Sequence, residues 1–134
     1  MLNTDSEYSI AQKKEEEILP LLKKHFGETV EPLNNRYHPF DFSNENFLLE
    51  LKCRNVKAST YPTTIVGMNK IEFLKRKGNE CKTGIFVFKF LDGTYFWKFN
   101  ETEMTVSDGG RTDRGVSEIK KYAYIPVGKL VKME

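Results

Sequence analysis

The chain has 134 residues, of which 39% are hydrophobic and 30% charged, and a formal net charge of +2. That composition fits a soluble globular chain with one core and no need of disulfide or metal staples, and excludes a disordered tail. No apolar run approaches the length of a bilayer span, and the opening MLNTDSEYSI lacks a signal peptide's basic start and apolar run, so an intracellular protein without a membrane partner is expected.

The two cysteines, Cys53 and Cys81, form no C-x-x-C, and with two histidines they do not build a structural zinc site. Both read as packed thiols. The small net charge hides local excesses, with Lys70, Lys75, Arg76, Lys77 and Lys82 in mid-chain and Lys120, Lys121, Lys129 and Lys132 beyond them. No repeat, linker or low-complexity stretch divides the chain, so residues 1–134 read as a single domain.

Ser6 to Phe26 has helical spacing, with Ser6 as a cap and Gly27 as the stop. Its apolar residues Ile18, Leu19, Leu21, Leu22 and Phe26 line one side, and Glu15 falls in the middle of that side while Glu16 and Glu17 fall off it. An acid on a buried stripe calls for a partner. The competing reading is a solvated acidic run paired with nearby lysines. Pro20 removes a backbone hydrogen bond and predicts a bend. A short strand is expected within Glu28 to Asn35.

The informative stretch is Tyr37 to Asn55, YHPFDFSNENFLLELKCRN. From Phe47 to Cys53 the pattern alternates, so Leu48, Glu50 and Lys52 share one face and Phe47, Leu49, Leu51 and Cys53 the other. Ser43 to Asn46 reads as a hairpin turn that sets Phe42 opposite Phe47 and Asp41 opposite Leu48. In that register Asp41 joins Glu50 and Lys52 on one face. Two carboxylates can hold a hard cation such as Mg²⁺, and a lysine beside them can orient water and steady charge on phosphorus, the chemistry of phosphodiester hydrolysis. The plainer reading is an exposed Glu50–Lys52 ion pair on an edge strand, with Asp41 a turn-proximal acid. His38, next to Pro39, reads as structural or catalytic.

Arg54 to Thr64 reads as a loop leaving the sheet, where Arg54 and Lys57 can grip a nucleic-acid backbone. Ile65 to Lys77 returns to helical spacing, with Ile65, Met68, Ile71 and Leu74 inward, Lys70 outward, and Gly78 as its stop. Thr83 to Phe90 and Thr94 to Phe99 form an aromatic-rich hairpin across Leu91-Asp92-Gly93. Asn100 to Ser117 reads as a loop in which Arg111 and Arg114 bind phosphate or pair with Asp108 and Asp113. Tyr122 to Lys132 reads as a short strand entering a Pro-started turn that covers the sheet.

Asp41 followed by Glu50-Leu51-Lys52, with His38-Pro39-Phe40-Asp41 supplying a displaced Pro-Asp, resembles the core motif of the PD-(D/E)XK nuclease superfamily. EEEILPLLKKHFG ahead of it resembles the archaeal Holliday-junction resolvase branch. The resemblance implies an α/β protein with a restriction-endonuclease-like core, a mixed central β-sheet flanked by helices in the order αβββαβ. It further implies a metal-dependent endodeoxyribonuclease in which Asp41 and Glu50 bind Mg²⁺ or Mn²⁺, helped by Glu15 and the main-chain carbonyl of Leu51, with Lys52 beside the attacking water. Glu17 is the alternative helix acid. Arg54, Lys57, Lys70, Arg111 and Arg114 are the expected DNA contacts, and branched DNA with a homodimer the expected substrate and assembly, with no small-molecule cofactor. The rival is a non-catalytic nucleic-acid-binding or assembly module that keeps the fold.

Overall fold

A 24-residue helix, α1 (Asn3–Phe26), lies along one side of the sheet in the computed structural model, which describes residues 3–34, 37–76, 82–109 and 120–134, with side chains from Ile10 onward. The helix starts three residues before Ser6, because Asn3, Thr4 and Asp5 also suit a first turn, so Ser6 is interior and not the cap. Pro20 sits on its exposed side and the helix continues through it. Gly27, at φ 122°, ends it in a conformation that other residues avoid.

The main sheet holds six strands: β1 (Glu31–Pro32), β2 (Phe42–Ser43), β3 (Phe47–Cys53), β5 (Thr83–Phe90), β6 (Gly93–Lys98) and β9 (Val131–Lys132), in the order β1-β2-β3-β5-β6-β9. All neighbours are antiparallel except β3 and β5, which run parallel with Glu50 opposite Phe86 and Lys52 opposite Phe88. Parallel pairing needs a crossover. Here it consists of β4 (Thr63–Gly67) and helix α2 (Met68–Arg76). β4 belongs to a second, three-stranded sheet, ordered β4-β8-β7 with β8 (Lys120–Pro126) between its partners and β7 (Thr105–Gly109) at the edge. The mixed α/β architecture expected from the sequence is present.

Two apolar layers result, one on each face of the main sheet. On one face Ile18 and Leu22 of α1 pack against Phe42, Leu49, Ile85 and Val87. On the other, Ile71 and Leu74 of α2 and Ala123 and Ile125 of β8 pack against Leu48, Phe86, Phe88 and Trp97. A Cβ at Gly84 would run into the Leu74 side chain, so glycine is what lets α2 settle onto β5.

Beyond the Ser6 cap, further expectations change; Cys53, read as a packed thiol, is exposed. The hairpin pairs Phe42 with Leu49, two residues from the Phe42–Phe47 pairing, and Ser43 is a strand residue facing Leu48. The reason is Asn44, whose Oδ1 accepts from the N–H groups of Asn46 and Phe47 at 2.9 and 2.8 Å and so closes a tighter turn. A two-residue shift keeps every side chain on its face. Ile65 is in β4 and not in a helix, since Thr63-Thr64-Ile65-Val66 is β-branched throughout and finds antiparallel partners from Tyr122 to Pro126. The loop expected from Asn100 contains a 3₁₀ turn, Glu101–Glu103, and then β7, whose residues pair with β8. Lys77, Gly78 and Cys81 lie outside the described residues.

Asn44 also donates from Nδ2 to the carbonyl of Phe26 at 3.0 Å, joining the end of α1 to the hairpin. The residue is only 7% exposed, so water does not replace these three bonds readily. Asn44→Ala is expected to lower stability by about 2–3 kcal/mol, read as a lower urea midpoint with an unchanged slope.

Candidate active site

β3 carries the site because its alternation sends Glu50 and Lys52 to the face covered by α2 and the second sheet. Glu50 is 4% exposed, and a buried carboxylate requires partners. Its Oε2 has two ammonium neighbours, Lys52 Nζ at 3.0 Å and Lys70 Nζ at 3.4 Å. Lys70 also donates to the carbonyl of Pro39. Lys52 keeps a solvent opening, its side chain being 28% exposed against 18% for Lys70.

Asp41 approaches from β2. Its N–H donates to the Leu49 carbonyl and its carbonyl accepts from Leu33 N–H, both at 2.9 Å, so the main chain is pinned on both sides just beyond the paired part of β2. The side chain is pinned too, with Oδ2 accepting from Leu51 N–H at 2.9 Å. Burial, the Asp41 charge and a hydrogen bond with the Asp41 carboxyl push Glu50 up to about 7, while Lys52 and Lys70 pull the other way. The Asp41 carboxyl is thus a close neighbour of Glu50.

Glu15 is on the opposite side of Asp41. With Gln12, Leu19, Leu33, His38 and Phe40 it lines a cleft of about 400 Å³ into which Asp41 also opens. Burial first and the Asp41 charge second raise its pKa. Asp41 is thus coupled to both glutamates, one on α1 and one on β3. Glu17 points elsewhere, toward Lys89 at 3.9 Å. His38 uses Nδ1 to accept the Phe40 N–H at 3.1 Å, and its ring meets Phe73 edge to face, an arrangement that serves packing.

The other candidates are spread out. Lys70 turns inward, contrary to the outward position that the helix period assigns it, because its long stem reaches past Ile71 to Glu50 and Pro39. Arg54 is half-buried, donates from Nη2 to the Ile65 carbonyl at 2.6 Å and lies 5.9 Å from the centre of the Phe88 ring. Lys57 is exposed. Leu51 reaches the cluster through its N–H. Arg111 and Arg114 lie outside the described residues. Lys70 is the site neighbour that sequence reasoning placed in another role, and the only signal was its position beside the inward Ile71.

Among the described residues no group of three or more His, Cys, Asp or Glu side chains could hold a metal ion together. The Asp41–Glu50 pair nevertheless suits a hard divalent cation, which takes one or two carboxylates and keeps several waters. Two neighbouring carboxylates can take a cation between them. No helix among the described residues is long and apolar enough to cross a membrane.

A family described as "Phage putative PDDEXK endonuclease" matches residues 35–133, which takes in β2, β3, α2 and both sheets' later strands. No curated protein and no solved structure matches the chain.

Proposed function

Because this chain belongs to that phage PDDEXK endonuclease family, a branch of the PD-(D/E)XK nucleases that hydrolyse phosphodiesters, we propose that it is a Mg²⁺- or Mn²⁺-dependent endodeoxyribonuclease built on a restriction-endonuclease-like αβββαβ core. Asp41 and Glu50 would hold the cation together with the main-chain carbonyl of Leu51, and Glu15, which lines the cleft beside Asp41, would be the further acid of the site. One observation carries the reading: Asp41 Oδ2 accepts from Leu51 N–H at 2.9 Å on the same strand where Lys52 Nζ stands 3.0 Å from Glu50 Oε2. Carboxylate pair and lysine on one sheet face are the minimum that this hydrolysis needs.

When bound, the cation supplies Lewis-acid polarisation of the phosphate. The chain supplies the rest. Asp41 commits one oxygen to Leu51 N–H, which holds the carboxylate in place and leaves its other oxygen for the cation. Lys52 orients the attacking water and stabilises the charge that develops as the new P–O bond forms and the bond to the leaving sugar oxygen breaks. Lys70 holds Glu50 and the Pro39 carbonyl together, which positions the segment leading to Asp41. Arg54, Lys57, Arg111 and Arg114 contact DNA phosphates in this reading.

The finer part of the proposal is a homodimer that prefers branched DNA, since a symmetric pair of cuts needs two sites. It rests on the resemblance of EEEILPLLKKHFG to junction resolvases. The test is digestion of supercoiled, linear, single-stranded and four-way-junction DNA with Mg²⁺, Mn²⁺ or EDTA, beside sedimentation of the protein alone. Cutting with either metal and none with EDTA is expected, fastest on the junction, from a species of twice the chain mass. Failure to cut any substrate with either metal sinks the enzyme reading in favour of a binding module.

A further inference from the structure

Beyond Lys52, on the same face of the sheet, the chain builds a second concavity. It has a volume of about 480 Å³, within the ~300–1,000 Å³ of small-ligand pockets, and its walls are mostly apolar: Val56, Tyr61, Ile65, Phe90, Tyr124 and Val127. Arg54, Lys57, Asn55 and Thr63 line it as well, with Arg54 and Lys57 bringing positive charge to the apolar walls. The nuclease chemistry proposed above uses none of these walls.

The pocket is fixed before anything enters it. The segment from Arg54 to Pro62 has no helix or strand, yet it is tied down along its length. Arg54 N–H donates to the Lys89 carbonyl, Leu91 N–H to the Val56 carbonyl and Val127 N–H to the Pro62 carbonyl, each at 2.9 Å. Ala58 N–H donates to Asp92 Oδ1, also at 2.9 Å. Tyr61, the aromatic residue of this segment, lines the pocket and is 61% exposed. Aromatic surface held in water over a rigid apolar pocket is what a planar ligand needs for stacking.

The location selects the ligand. Arg54 follows Lys52 by two residues, roughly 7 Å along an extended chain, and its guanidinium lies over Phe88, the residue paired with Lys52 across the sheet. A strand whose phosphate lies at Lys52 therefore passes Arg54 and Lys57 next, with two positive charges for its backbone and an apolar, aromatic slot beside them for a base. We propose that this pocket binds a single unpaired nucleobase of the DNA strand that is cut, next to the cleaved phosphate, with Tyr61 stacking on it and Asn55 and Thr63 within reach of its polar edge. The proposal rests on the nuclease reading and gives it a substrate requirement: the strand must be single, frayed or able to turn a base outward.

The experiment measures binding without cutting. Fluorescence anisotropy compares a twelve-nucleotide oligothymidylate with an abasic strand of equal length and charge, with Ca²⁺ in place of Mg²⁺. Wild type is expected to bind the strand with bases about tenfold or more tightly, a stacking contribution. Tyr61→Ala, a change at an exposed residue, and Asn55→Trp, which fills the mouth, are each expected to erase that preference while leaving binding of the abasic strand unchanged. Equal affinity of wild type for the two strands overturns the proposal, as does a preference that survives both substitutions. Digestion with Mg²⁺ is scored separately. A chain that cuts but shows no base preference loses only the pocket, and one that shows a Tyr61-dependent preference but never cuts loses only the nuclease.

Discussion

Lys52→Ala is expected to slow metal-dependent DNA cleavage by about 10²–10³-fold, the loss found when one donor to a developing oxyanion is removed. The loss should appear in the rate at saturating metal, because Lys52 is not a metal ligand in the proposed site. Lys70→Ala makes the contrast. Both ammonium groups touch Glu50 Oε2, but Lys70 is the more enclosed and is tied to the Pro39 carbonyl. Its removal should loosen the approach to Asp41 and raise the metal concentration needed for half-maximal cutting, with a smaller loss, about tenfold, once metal saturates. Rate against Mg²⁺ concentration for the two variants separates the roles. Equal profiles would mean that neither lysine has the place assigned to it.

Glu50→Gln should abolish cutting and at the same time stabilise the protein at alkaline pH. The folded chain holds the Glu50 pKa at about 7 against an ordinary value of 4.5. The unfolded chain therefore gives up this proton first. Stability from Glu50 is fully present below about 4.5 and is lost as pH rises through about 7. A shift of that size corresponds to a ceiling of about 3 kcal/mol. Glu50→Gln should accordingly exceed wild type by up to about 3 kcal/mol at pH 8, and by little at pH 5, in urea unfolding without metal. Added Mg²⁺ should narrow the gap at pH 8, since a cation relieves the ionised pair. Below pH 7 the apparent Mg²⁺ affinity of wild type should fall about tenfold per pH unit, because a proton must leave before the cation enters.

Such a carboxylate shows how the site was legible in part. The shared face of Glu50 and Lys52 followed from alternation alone, whereas the place of Asp41 was read from a hairpin register that is two residues off, a shift that leaves side chains on their faces because they repeat every second residue. Nothing in the composition of Ser43 to Asn46 revealed that the Asn44 side chain would close the turn. The β5–β6 hairpin was readable because its aromatic and β-branched residues have no other use at that density. The second sheet was not. Ile65, Met68, Ile71 and Leu74 fit one helical stripe that outweighed the β-branched run Thr63 to Val66, and the partner that makes Ile65 a strand residue, β8, lies some sixty residues later. β7 has one apolar side chain in Thr105–Gly109 and leaves no alternation to find. Lys70 eluded the period for a different reason, since a lysine's direction is set by which carboxylate its long stem can reach.

The order in which the elements are made has a consequence for the cell that produces this protein. The acids and Lys52 emerge from the ribosome early, but Ala123 and Ile125 of β8 and Met133 after β9 finish the two apolar layers that hold them. A nascent chain that has reached only β6 has its reactive groups and lacks Ala123 and Ile125, which complete the apolar layer on the Glu50 face. The proposed cutting centre is therefore not enclosed until β8 has been made.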